Sequence, residues 1–192
     1  MKYVVDIKVP REFRIIADDY REQFGKAVTG ISSLGMHCTL MTAHAPEQAE
    51  RDMLGELERI AHKQFLAHLT GQTAIFAENK LVAVLERSPE LHALHRDVVG
   101  RLVKYIDWNE QHPLPHDYKI DKRRKEAHEK HGSAYYGEFY TPHVSIAALD
   151  LSKLETVTFP HIMPYVWTVR EFTISKPKNN AMTPIKAFPL RA

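Results

Sequence analysis

Two short runs in this sequence share one arrangement, a histidine, an apolar residue, a hydroxyl residue and a second apolar residue: His37-Cys38-Thr39-Leu40 and His143-Val144-Ser145-Ile146. Side chains alternate across a β-strand, so in each run the histidine and the hydroxyl share one face and the apolar pair lies behind them. One His-x-Ser/Thr carries little weight in a chain with 12 histidines. Two copies, each on a β-like run and 143 − 37 = 106 residues apart, point to two half-sites brought together by a pseudo-symmetric fold.

The chain that must do this has 192 residues, enough for one well-filled domain and too few for two ordinary ones. A net charge of +2 gives no electrostatic case for coating long nucleic acid, while a small anionic ligand or one RNA end fits that balance. The single cysteine, Cys38, excludes an internal disulfide and a cysteine-built zinc site, and it reads as a small core hydrophobe. No apolar run approaches the roughly 20 residues of a membrane span. Met1-Lys2-Tyr3 leads straight into a strand-like segment with no signal-peptide pattern, so a cytoplasmic location is expected.

Around the two motifs the hydrophobic period changes repeatedly. Residues 3 to 9 are rich in β-branched side chains and stop at Pro10, which predicts a strand. Residues 11 to 30 scatter Phe13, Ile15, Ile16, Tyr20 and Phe24 among charges, and fit either a short helix or an ordered loop. The first motif predicts a strand over about 36–43. From Pro46, apolar residues Ala49, Met53, Leu57, Ile60, Ala61 and Phe65 recur at three- and four-residue steps, predicting one amphipathic helix with Gly71 just past its end. Strand-like runs at 73–78 and 81–86, separated by Asn79-Lys80, predict a tight antiparallel hairpin. Ser88-Pro89-Glu90 is a helix start, and Leu91, Leu94, His95, Val98, Leu102 and Ile106 supply its buried face.

Residues 109–139 form a long flap containing Pro113, Pro115, the charged run Asp121 to Glu126, and Tyr135, Tyr136 and Phe139. Its basic run reads as a solvated face or the surface of a short helix; the sharper alternative is a flap that touches the substrate. The second motif predicts a strand over about 143–149, followed by strand-like runs at 165–175 and 185–190 with a turn at Pro177-Lys178-Asn179-Asn180. The sum is an α+β order in one domain spanning 1–192, with helices covering antiparallel sheet.

The paired motifs resemble the two His-x-Thr/Ser signatures of the 2H phosphoesterase superfamily, which includes the LigT-like 2′-5′ RNA ligases, cyclic nucleotide phosphodiesterases and related RNA-end enzymes. The context is also similar. A long helix, a hairpin and a second helix bearing Leu91-His92 and Leu94-His95 follow the first motif, and Tyr140 and Pro142 precede the second. The resemblance covers roughly residues 2 to 175. It departs from the strictest pattern in the longer flap and in serine at 145, which keeps the hydroxyl. What it implies is a bilobal, pseudo-symmetric α+β fold: two antiparallel sheets facing across a cleft, helices on the outside, one histidine from each lobe in the cleft, and no metal or cofactor.

The chemistry can be argued apart from the family. Cleaving a phosphodiester needs one oxygen deprotonated and another protonated, which two imidazoles titrating near neutrality can do. Thr39 and Ser145, set beside His37 and His143, can donate hydrogen bonds to the charge that builds on the equatorial phosphate oxygens. His37 is assigned as the acid toward the leaving group and His143 as the base toward water. Tyr140 is a candidate substrate contact that could stack on a base or pack in the core. Trp108, Tyr135 and Tyr136 are further candidates for the cleft wall, and Arg11, Arg14 and Lys122 to Lys125 for phosphate contacts. His92/His95 and His128/His131 are three apart but lack a convincing third metal ligand.

The expected function is hydrolysis of a 2′,3′-cyclic phosphate or a related nucleotide or RNA-end phosphodiester by a monomer with no membrane or obligatory protein partner. The alternatives are a 2H enzyme that degrades cyclic or 2′-5′ oligonucleotide messengers, and a non-catalytic RNA-binding module of the same fold.

Overall fold

Alternating burial starts at the N-terminus. In β1 (Lys2–Lys8), Tyr3, Val5 and Ile7 pack into the main core, while Val4, Asp6 and Lys8 take the opposite face. The computed structural model describes residues 1–31, 36–76, 79–110, 121–154, 163–178 and 181–192. Residues 11–30, left open between helix and loop, are chiefly α1 (Arg11–Phe24), with Phe13 and Ala17 buried, followed by the short strand β2 (Val28–Gly30). The first motif opens β3 (His37–His44).

The single long helix expected from Pro46 is instead a turn of 3₁₀ helix and α2 (Glu50–Glu58), followed by β4 (Phe65–Phe76). Phe65 continues the helical period of Ala61 and also starts a period-two series with Ala67 and Leu69, all buried. Pairing of Phe65 to Leu69 with a distant strand settles the conflict in favour of sheet. Gly71 therefore lies inside β4, not past a helix. There its φ of +83° serves a bulge in which Leu69 pairs with Leu85 but Thr73 with Ala83.

Asn79, at φ +54°, leads into β5 (Lys80–Leu85), as the hairpin reading required. Ser88 then caps α3 (Pro89–Leu102), its Oγ accepting from the Leu91 N–H at 3.2 Å. The basic run of the flap forms α4 (Lys122–His131), capped by Asp121 and stopped by Gly132 at φ +71°; residues 111–120 of that flap lie outside the described residues. The second motif opens β6 (His143–Leu149).

The run at 165–175 proves to be two strands broken at Arg170, β7 (Tyr165–Val169) and β8 (Glu171–Lys178), which pair in different places, with β4 and with β1. The last strand is β9 (Ala181–Pro189). Pro177 and Lys178, expected in the turn, still pair with Met182 and Ala181.

All of the described strand pairing between these elements is antiparallel, in the order β7-β4-β5-β6-β3-β1-β8-β9 with β2 added to β6. Two half-sheets are visible in that order, β7-β4-β5-β6 and β3-β1-β8-β9. They meet at one register pair, Cys38 with Val144. α3 packs against β3 and β4, α2 against α3 and β9, and α1 against β6, giving the α+β arrangement with helices on the outside. Among the described residues, no helix is long and apolar enough to cross a membrane.

Candidate active site

The junction of the half-sheets is where the two motifs meet. Cys38 and Val144 are the central apolar residues of the two runs, both fully buried and paired with each other. Because the pairing is antiparallel, His37 falls on the side of Ser145 and Thr39 on the side of His143, all four on the face away from Cys38 and Val144. Each imidazole thus stands across from the other motif's hydroxyl. The described pairing between β3 and β6 is confined to this pair, so the quartet sits at the junction of the two half-sheets.

A bulge follows each motif. Val5 pairs with Met41 and Asp6 with Thr39, leaving Leu40 as the extra residue of β3. Leu81 pairs with Ala147 and Val82 with Ser145, leaving Ile146 as the extra residue of β6. In both runs the fourth residue is the bulged one, and it and the residue after it are consecutive apolar side chains that are both buried. Bulges bend and twist a strand locally, which here turns the histidine and hydroxyl out of the flat ladder.

His143 is fixed from behind. Its Nδ1 lies 2.8 Å from the Thr141 carbonyl, which can only accept, so Nδ1 carries the proton and Nε2 keeps its lone pair. Burial lowers the pKa of His143, the Thr141 carbonyl opposes this, and the charges of His37 and Lys80 lower it further. The neutral ring is therefore the favoured form at pH 7. Phe76 packs on it at 4.5 Å between centroids, tilted by 57°. Arg87 braces the preceding segment, donating to the Glu138 carbonyl at 3.0 Å and the Thr141 hydroxyl at 2.9 Å.

His37, 9% exposed, sits opposite Lys8 in the β1–β3 register, and Asp6 sits opposite Thr39. Asp6 is completely buried, with the Lys8 ammonium 3.0 Å from Oδ1 and 3.2 Å from Oδ2. Thr173 lies next to Asp6 on β8 and Ser175 next to Val4, both buried. Sequence reasoning missed this polar layer. Its signal was present in Val-Asp-Ile-Lys, where an acid and a lysine two apart interrupt one face of an otherwise apolar strand.

Tyr140 packs in the core, one of the two readings open to it. It is 5% exposed and lies on the core side, its hydroxyl donating to the Thr39 carbonyl at 3.0 Å and lying 3.5 Å from Cys38 Sγ. Its ring stacks on His95 at 3.9 Å and 1°, with His92 edge-on at 5.5 Å. It braces the first motif from behind. His95 in turn donates from Nδ1 to the Leu40 carbonyl at 2.8 Å, and burial lowers its pKa to about 4.

The remaining candidates divide. His131 stacks on Tyr136 at 3.7 Å, and Tyr136 lies beside His95, so this pair belongs to the packing behind the first motif. Arg123 pairs with Glu138, and Arg124 lies over the Phe139 ring at 4.5 Å. Lys122 and Lys125 face Glu126 and Glu129 one turn on. The basic run is thus engaged with its own helix and with residues 134–139, as the surface of a short helix. Trp108, 48% exposed, and Tyr135 remain at the surface, as do Arg11 and Arg14 on α1.

No protein-family model and no curated protein matches this sequence. Solved structures do. E. coli LigT complexed with 3′-AMP is similar over 100% of this chain and 98% of its own, with 17% identity and a TM-score of 0.67. TT0787 of Thermus thermophilus is similar over 100% of this chain and 99% of its own, with 19% identity and a TM-score of 0.68. Kluyveromyces marxianus Usb1 is more distant, at 12% identity and a TM-score of 0.51 over 98% of each chain. From end to end, this chain has the fold of E. coli LigT.

Proposed function

We propose that this protein is a metal-independent phosphodiesterase that hydrolyses a 2′,3′-cyclic phosphate, or a related phosphodiester at a nucleotide or RNA end. The observation that supports the reading is the β3–β6 register pair Cys38–Val144, which puts both His-x-Thr/Ser motifs on neighbouring strands with their histidines and hydroxyls on one face. A phosphate seated there has an imidazole and a hydroxyl on either side. Nε2 of neutral His143 takes a proton from the attacking water as its oxygen bonds to phosphorus. Protonated His37 gives its proton to the ribose oxygen as the P–O bond breaks, leaving a phosphomonoester and a free hydroxyl. Thr39 and Ser145 donate to the non-bridging oxygens, whose charge is greatest in the transition state. That E. coli LigT, on the same fold, has been seen with 3′-AMP and with ATP supports a nucleotide as ligand.

The test is a parallel panel of 2′,3′-cyclic mononucleotides, RNA bearing 2′,3′-cyclic ends, 2′-5′-linked oligonucleotides and cyclic dinucleotides. The expected result is turnover of a cyclic phosphate or RNA end. Turnover confined to the oligonucleotide messengers would move the assignment to that substrate class. Tight RNA binding with no product from any of them would identify a binding module instead.

A further inference from the structure

Two histidines of one chemical type can share acid and base work only if their surroundings tell them apart, and here the surroundings differ in sign. Beside His37, on the same face of the adjacent strand, stands the wholly buried carboxylate of Asp6. Lys8 is its counter-ion, but Oδ1 receives no directed hydrogen bond despite the ammonium 3.0 Å away. The β8 residues nearest Asp6 on that face, Thr173 and Ser175, are uncharged, and the Ser175 hydroxyl also lacks a partner. Beside His143 the charged group that hydrogen bonds place is a cation, Arg87, which donates to the Thr141 hydroxyl and the Glu138 carbonyl. Phe76 lies against the ring, and Val84 and Val82 of β5 pair with His143 and Ser145.

We infer that Asp6 is a positioning residue that divides the labour of the site: its carboxylate, on the same face as His37, holds that ring as the imidazolium acid and leaves His143 as the neutral base. A buried carboxylate attracts a neighbouring imidazolium with little water between to screen it. Burial pushes the Asp6 carboxyl above its usual range, and Lys8 and then His37 pull it back, so the attraction between Asp6 and His37 runs both ways. Lys8, opposite His37, works against Asp6, which makes Asp6 the deciding charge on that side. Asp6 does not touch the phosphate in this account; it acts through an imidazole.

The inference rests on the acid–base reading above, but its first test is independent of activity. Imidazole resonances of the ligand-free protein are titrated by NMR in wild type and Asp6→Asn. Asp6→Asn lowers the pKa of His37 by about half a unit or more and moves that of His143 by less. In kcat/KM the alkaline limb, which reports loss of the His37 proton, moves to lower pH in Asp6→Asn, and the acid limb stays in place. An Asp6→Asn protein with a native amide spectrum and an unmoved His37 titration overturns the inference. Should that variant not fold, Lys8→Met serves in its place: it raises the His37 pKa, and no change overturns the proposal. If the titrations move as stated but no phosphodiester is cleaved, the catalytic reading falls and the charge assignment stands. If cleavage proceeds with unmoved titrations, the reverse holds.

Discussion

At the scale of single residues, the quartet and the groups behind it make separable predictions. His37→Ala and His143→Ala each lower kcat by roughly 10²–10⁴-fold, as expected of a general acid or base. Their effects in the double mutant fall far short of the product, because both act in one step. Stopped or continuous assays on the preferred cyclic phosphate measure this, and full activity in either variant removes that histidine from the site. Thr39→Val and Ser145→Ala lower the height of the pH–rate bell and leave both limbs in place, since hydroxyls do not titrate there.

A different readout separates Asp6 from an ordinary core residue. Burial raises its folded pKa, so keeping the carboxylate ionised costs the fold stability. Stability is fully present below the unfolded carboxyl value and is lost as pH rises through the folded one. Asp6→Asn, a neutral shape-match, therefore raises Tm at pH 7 even as it shifts the rate profile; a lower Tm would contradict the assigned cost. Of these residues, the quartet was legible because two chemical types at a two-residue step repeat. Asp6 was not, because one acid in a strand looks the same whether it faces water or a histidine. Tyr140 was ambiguous because an aromatic ring serves a core and a base equally well, and only the hydrogen bond to Thr39 separates them.

At the scale of elements, the strand–helix order was readable wherever local chemistry was explicit. Ser88-Pro89 and Asn79 behave as their side chains dictate. The failure was Phe65, which satisfies two periods at once, so that partner choice in the sheet decided what local pattern could not. α3 carries a testable consequence. His95 is buried against Tyr140 with its pKa lowered to about 4 and its Nε2 unpartnered. Its unfolded value is near 6.5. Stability from the neutral ring is complete above that value and is lost as pH falls toward 4, by up to about 3 kcal/mol for a shift of this size. Urea unfolding at stepped pH should show that loss, and His95→Gln should flatten it. Tyr140→Phe, which deletes only the hydroxyl, costs about 1 kcal/mol of stability and leaves KM unchanged. A raised KM with unchanged stability would return Tyr140 to the substrate.

At the scale of the whole molecule, the proposed acid, base and phosphate donors are all protein side chains. Activity therefore persists in excess EDTA; loss on chelation, restored by zinc or manganese, would require a different mechanism. The α+β class and the helices covering the sheet followed from hydrophobic period alone. How the halves are threaded did not, because a strand's pattern says which face is buried and not which neighbour it takes. β7 and β8 are consecutive in the chain, yet one joins β4 and the other β1.

That threading bears on when the two halves can be complete. β1 and β3 are made early, but their half-sheet is completed only by β8 and β9, which bring Phe172 and Ile174 to the core and pair Thr173 with Asp6. The half made of β4 to β7 comes from one stretch of chain, 65–169, but the other joins the two ends of the chain, and contacts this distant in sequence form slowly. On the ribosome, then, a nascent chain presents both histidines while the half-sheet that carries His37 is still incomplete. A chain stopped after Val169 would carry all four motif side chains and lack the two strands that complete that half-sheet.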